Sequence, residues 1–327
     1  MQALVTQVPT LTGGAWRYLT PITPVHEAMS RHLILQAADS ARAAMPVTVD
    51  PRDARASHAL VIGAGRCREI PLRELLERFD RVTVTDIDPD TLQRGLDETK
   101  LTPEERRRVE VIIGDIVGVS EHLVRGIEAC FAEGVWTLSA CEHLVERMAS
   151  FIESLEPNPA AMQPPYDLVV ASCVLSQLHL ASVNRVSRQF SQRFPETVKL
   201  DKQPRWRQAV CRLASRMQAR FIDLVHDLVS DNGRLYLAAT PRVHLIFRAP
   251  QGRWKTRETR DMLAHRHLHD FLDDRFVIEA QSQWQWSQPL PADPKKPGDL
   301  FDVEAMVLRK SRRESCRVGD FNRAEAF

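Results

Sequence analysis

From His58 onward, short apolar runs alternate with stretches whose apolar residues recur every three or four positions. The runs at 59–63, 82–86, 109–114, 167–172, 234–239, 276–282 and 303–308 predict seven strands. Helical periodicity covers 70–79, 89–98, 139–155, 207–229 and 256–271. In the fourth of these, Val210, Leu213, Met217, Phe221, Leu224 and Leu228 make one stripe, which should lie against a sheet. Strand and helix in alternation predict an α/β fold with a doubly wound, largely parallel sheet.

The flanks differ in character. Residues 1–56 hold Pro9, Gly13, Gly14, Pro21 and Pro24, then an amphipathic stretch from Val25 to Ala44, and read as an N-terminal helical cap or lid. The core then spans 57–310, interrupted by an insertion at about 180–206 that is rich in Ser, Gln and Arg and carries Pro195 and Pro204. The last residues, 311–327, form a polar tail.

Composition narrows the classes. Over 327 residues, 44 basic and 43 acidic side chains leave a net charge of +1, so bulk electrostatics would not hold nucleic acid or a membrane surface. The six cysteines are dispersed, with no C-x-x-C pair and no zinc-ligand spacing, so no metal site is expected. Neither a secretory leader nor an apolar run of about 20 residues is seen, which predicts a cytoplasmic protein with free thiols.

Chemistry first enters at HALVIGAGRCREIPL, where Gly63-Ala64-Gly65 forms a turn between strand and helix. Glycine there lets the backbone approach a ligand closely, and the helix start offers free N–H groups. The next strand ends in Asp86, 23 residues after Gly63, where a carboxylate can accept from both hydroxyls of a ribose. Arg68 occupies the position of the third glycine of a dinucleotide fingerprint, which argues against NAD. Together these features predict a nucleoside-containing cofactor.

The segments VIGAGRCRE, VTDIDPDTL, VIIGDI and YDLVVASCVLSQLHL resemble class I S-adenosylmethionine-dependent methyltransferases. The resemblance implies a seven-stranded sheet in the order 3-2-1-4-5-7-6 and S-adenosyl-L-methionine as cofactor. It implies that Gly63, Ala64 and Gly65 pack on the methionine portion, Asp86 binds the ribose and Ile87 lies on the adenine. Asp115 would accept from the adenine amino group, with Ile116 beside the ring. Ser172 and the residues to Leu178, Gln177 among them, would line the methyl group and its acceptor. The chain departs from the family at Val61, where an acid is common, and at Cys67, where a third glycine is common. Glu69, near the helix start, could substitute for the missing acid.

In-line methyl transfer needs alignment and a dry pocket more than covalent machinery. His179 is the nearest candidate for taking a proton from the acceptor. Trp16 and Tyr18 would belong to a lid over a small-molecule substrate. Trp284 and Trp286 point to one side of the sixth predicted strand, either walling a flat acceptor or packing against the insertion. Arg212, Arg216 and Arg220 recur every four residues and read as a solvated helix face. His265 and His269 have a spacing that could share a metal on a helix, but the interleaved charge favours an exposed face. The leading reading is methyl transfer to an oxygen or nitrogen of a small molecule, with a homodimer allowed. Methylation of protein or RNA, aminopropyl transfer, and a non-catalytic cofactor-binding partner subunit are the alternatives.

Overall fold

The structure, a computed structural model, describes residues 23–45, 55–154, 162, 165–194, 200–248, 254–265, 267–272, 275–287 and 297–311. Its strands are β1 (His58–Ile62), β2 (Arg81–Asp86), β3 (Val109–Ile113), β4 (Tyr166–Ser172), β5 (Val229–Arg248), β6 (Trp254–Asp261), β7 (Phe276–Ser287) and β8 (Gly298–Lys310). The α-helices are α1 (Thr23–Ala44), α2 (Leu72–Arg78), α3 (Pro89–Glu98), α4 (Pro103–Arg107), α5 (Val119–Ala132), α6 (Leu138–Phe151), α7 (Leu180–Arg193) and α8 (Pro204–Leu228).

The sheet runs β3-β2-β1-β4-β5-β8-β7, and β6 pairs with β5 off this path. The strands β1 to β5 are mutually parallel, while β8 is antiparallel to both β5 and β7. With β6 left out of the numbering, this is the order the resemblance implies. Parallel strands buried on both faces read as continuous apolar runs, as HALVI and DLVVAS do. Alternation along β1 sends Leu60 and Ile62 to one core, under α5, α6 and α8, and Ala59 and Val61 to the other, under α1, α2 and α3.

Several elements differ from the expectation. Residues 256–271 are not a helix: β6 occupies their first part and a single 3-10 turn, Leu268–Phe271, their last. Residues 255–261 are all exposed, so no apolar stripe held a helix against the core, and the edge of the long β5 took the chain as a ribbon instead. His265 therefore lies outside any helix and His269 in the 3-10 turn, so the helical pairing does not exist. The insertion contains α7, whose Val186 and Phe190 are buried in the α8-side core. Finally, α1 is a layer of the second core, with Ile34, Ala37 and Ala38 fully buried among residues of β4, β5 and β8.

One buried amide organises the upper end of the α8 face. Gln218, fully buried, donates to the carbonyls of Leu175 (3.3 Å) and Met262 (3.4 Å) and accepts from Ala264 N–H (3.0 Å). It joins the loop after β4 to the segment after β6.

Candidate ligand-binding site

The parallel strands end together, and the candidate site residues collect at that edge. Past β1 the chain turns through Gly63 at φ +64° and Gly65 at φ +50°. A Cβ on Gly63 would overlap Val174 Cγ2, whereas one on Gly65 would meet open space. The turn is pinned to β2: Ala64 N–H donates to Thr85 O (3.1 Å) and Gly65 N–H to Asp86 Oδ2 (2.8 Å). Asp86 Oδ1 accepts from Asp88 N–H (2.9 Å), and Asp88 in turn caps α3 by accepting from the Asp90 and Thr91 amides. Each Asp86 oxygen thus holds one backbone donor and keeps a further acceptor position, and the side chain is only half-buried.

Next to it, Gly114 N–H donates to Asp86 O (3.0 Å), which brings the end of β3 beside that of β2. Asp115 Oδ1 accepts from Val117 N–H (3.0 Å). Ile87 is 51% exposed at the same edge, an apolar surface without cover among the described residues, while Ile116 is buried. On the far side of the turn α3 lies close, because a Cβ on Gly95 would stand 2.6 Å from the Arg66 carbonyl carbon. Gly63, Ala64, Gly65, Asp86, Ile87 and Asp115 therefore occupy one edge.

After β4, Ser172 is buried and Cys173 adopts φ +57°, its N–H donating to Ala238 O (2.8 Å). Ser176 and Thr240 share a buried hydroxyl contact of 2.5 Å that ties this loop to β5. Gln177 is exposed. His179 immediately precedes α7 and is buried, with Nδ1 lacking a hydrogen-bond partner among the described residues. Trp16 and Tyr18 lie outside the described residues.

The sequence singled out neither His26, Ser30 nor Tyr236 of the group that gathers around Glu69. His26 of α1 places Nε2 3.9 Å from Glu69 Oε2, and its Nδ1 accepts from Trp284 Nε1–H (3.0 Å). Because Nδ1 is the acceptor, the neutral ring carries its proton on Nε2, toward Glu69. The imidazole stacks on Trp286 (4.9 Å, 15°), which stacks on Phe301 (4.8 Å), so the two tryptophans pack against α1. One helical turn beyond His26, Ser30 lies beside Tyr236 of β5, and so does Ser172. All three hydroxyls are buried beside one another, and that of Ser172 also lies near Glu69. Burial raises the Glu69 pKa, opposed by the nearby Ser172 hydroxyl, although 28% of its side chain still faces solvent. Burial likewise pushes the Cys67 thiol up to about 12 and raises that of Cys173 further. Cys67 takes φ +55°, a conformation that favours glycine, at the position where the family's third glycine falls.

Burial also pulls His26 and His179 down from 6.5 to about 4. The unfolded chain takes up these protons near pH 6.5 and the fold only near 4, so the stability from this pair is whole above 6.5 and lost as pH falls toward 4. Tm should drop across that window, and His179→Asn should make the drop shallower. An unchanged slope in the variant would show that this imidazole titrates freely.

No family model and no curated protein matches the chain. Among solved structures it is similar to the glycopeptide N-methyltransferase MtfA complexed with S-adenosyl-L-methionine (12% identity, 91% of this chain and 99% of that one, TM-score 0.38). It is also similar to precorrin-6y C5,15-methyltransferase from Geobacter metallireducens (12% identity, 86% and 87%, TM-score 0.37) and to the mitomycin 7-O-methyltransferase MmcR (13% identity, 88% and 58%, TM-score 0.32).

Proposed function

We propose that the chain is an S-adenosyl-L-methionine-dependent methyltransferase acting on an oxygen or nitrogen of a small molecule. The observation that carries this reading is Asp86, held by the glycine turn's own amide, with acceptor capacity left at the open end of the parallel sheet. A carboxylate so placed suits the paired hydroxyls of a ribose. The open space at Gly65 and the buried hydroxyls of Ser30, Ser172 and Tyr236 fit the remainder of a nucleoside thioether with a polar head. Bound there, S-adenosyl-L-methionine would supply an electrophilic methyl group on a sulfonium.

In this reading Gly63, Ala64 and Gly65 admit the chain that joins ribose to head group, Ile87 and Ile116 flank the adenine, and Asp115 accepts from its amino group. Ser172 lies next to the head group, and Gln177 faces the acceptor. His179 accepts the acceptor's proton, starting from the neutral state in which burial holds it. The same burial makes it a weak base, which leaves alignment and water exclusion as the main sources of rate.

A small acceptor is favoured because the arginine row on α8 is not a free cationic platform for a polyanion: Arg212 pairs with Glu146, and Arg216 and Arg220 have partners of their own. No helix of the described residues is long and apolar enough to cross a membrane. Calorimetry tests the reading. S-adenosyl-L-methionine and S-adenosyl-L-homocysteine should bind and NAD should not; absence of binding by the first two refutes it. A methyl-labelled cofactor incubated with host extract would then show which molecule gains label.

A further inference from the structure

We infer that β6 is the contact surface for a second copy of this chain. The two β6 strands pair antiparallel about Thr259, so that one continuous sheet runs through a symmetric dimer. This goes beyond the methyl-transfer reading and does not depend on it.

The sheet leaves β6 at an edge. It pairs with β5, and its other side has no strand partner among the described residues. Every residue from Lys255 to Asp261 is exposed. An open strand edge presents unpaired N–H and C=O groups and takes up a further strand unless something blunts it, often charge. Charge of one sign also repels the same strand of a second copy, since like charges directly opposite are destabilising. The order of charges in β6 has the reverse effect. Glu258 precedes Thr259 and Arg260 follows it; one step further out stand Arg257 and Asp261. With Thr259 opposite Thr259 of the second copy, Glu258 faces the second copy's Arg260, and Arg257 faces its Asp261. The twofold axis repeats both contacts, so each charge from 257 to 261 meets its opposite. Neighbouring symmetric registers lose this: centred on Glu258 they oppose two glutamates, and centred on Arg260 two arginines. Within one copy Arg260 donates to Glu258 from Nε (2.8 Å) and Nη2 (3.0 Å), with both side chains largely exposed. An exposed pair of this kind contributes little, so exchanging it for a pair across the axis is not costly. A polyanion suits the edge less well, because Glu258 and Asp261 offset two of the three cations Lys255, Arg257 and Arg260.

Sedimentation equilibrium on the full chain, over a wide range of concentration, tests this. The wild-type protein should show a monomer–dimer equilibrium. Glu258→Arg and Arg260→Glu, each alone, should weaken the dimer about tenfold or more, because two attractive contacts become two repulsive ones. The double variant Glu258→Arg/Arg260→Glu exchanges the signs and restores complementarity. It should return the dissociation constant to within about threefold of wild type, which separates charge matching from damage to the ribbon. A wild-type chain that stays monomeric overturns the inference, and so does a dimer that either single variant leaves intact. A double variant no tighter than the single ones overturns it as well. A monomer that binds homopolymeric RNA through these side chains would assign the edge to a polyanion instead.

Discussion

Asp86→Ala should weaken S-adenosylhomocysteine binding by about a hundredfold or more, since two hydroxyl-to-carboxylate bonds of about 1.5 kcal/mol each would be lost. The substitution also leaves Gly65 N–H and Asp88 N–H without the acceptors that now shape the turn and the start of α3. Asp86→Asn separates the two effects. It keeps one oxygen for a backbone donor but loses the charge and one acceptor, so it should hold Tm closer to wild type while binding remains poor. Calorimetry alongside thermal melts would show this, and Asp86→Ala affinity within about threefold of wild type, less than one bond's worth, would rule out ribose at this carboxylate.

Gly95→Ala poses two opposed effects. Replacing a helix-interior glycine by alanine gains about 1 kcal/mol of helix propensity. Here the new methyl would stand 2.6 Å from the Arg66 carbonyl carbon and 2.7 Å from its Cα, and backbone cannot swing aside as a flexible side chain can. Overpacking of this kind costs about 1–3 kcal/mol, and relief requires α3 to slide away from the glycine turn. The expected net result is a fold destabilised by about 1–2 kcal/mol in urea titration, with ligand affinity reduced because Gly65 and Asp86 move apart. A variant more stable than wild type, as propensity alone predicts, would show that α3 does not press on the turn.

Much of the candidate edge was legible because it depends on local signals. A glycine turn after an apolar run and an acid at the end of the next one identify positions by sequence distance alone, and Gly63, Gly65 and Asp86 lie where that reading placed them. Gly95 gave no such signal: a glycine inside a helical pattern does not reveal which backbone crosses it. His26 and Ser30 did leave a trace. They continue the buried row of Leu33, Ile34, Ala37, Ala38 and Ala41 toward the start of α1, so polar residues occupy positions of a core-facing stripe. Reading that segment as a cap hid the conflict. Tyr236, in the apolar run RLYLAA, was similarly hidden, since burial does not say what a hydroxyl faces. The ribbon of β5 and β6 was missed because exposed charged residues fit a solvated helix and a solvated strand equally well, and pairing with a distant edge decided between them.

Cys67 and Cys173, both held in left-handed backbone, are buried in the core next to the sheet edge proposed for a sulfonium, and a sulfonium alkylates any soft nucleophile within reach. A thiolate there would consume the methyl donor and be converted to a thioether. Burial keeps both Cys67 and Cys173 protonated far above neutral pH, which makes them poor nucleophiles. On that reading, sulfur packed close to the methyl donor would leave it unconsumed.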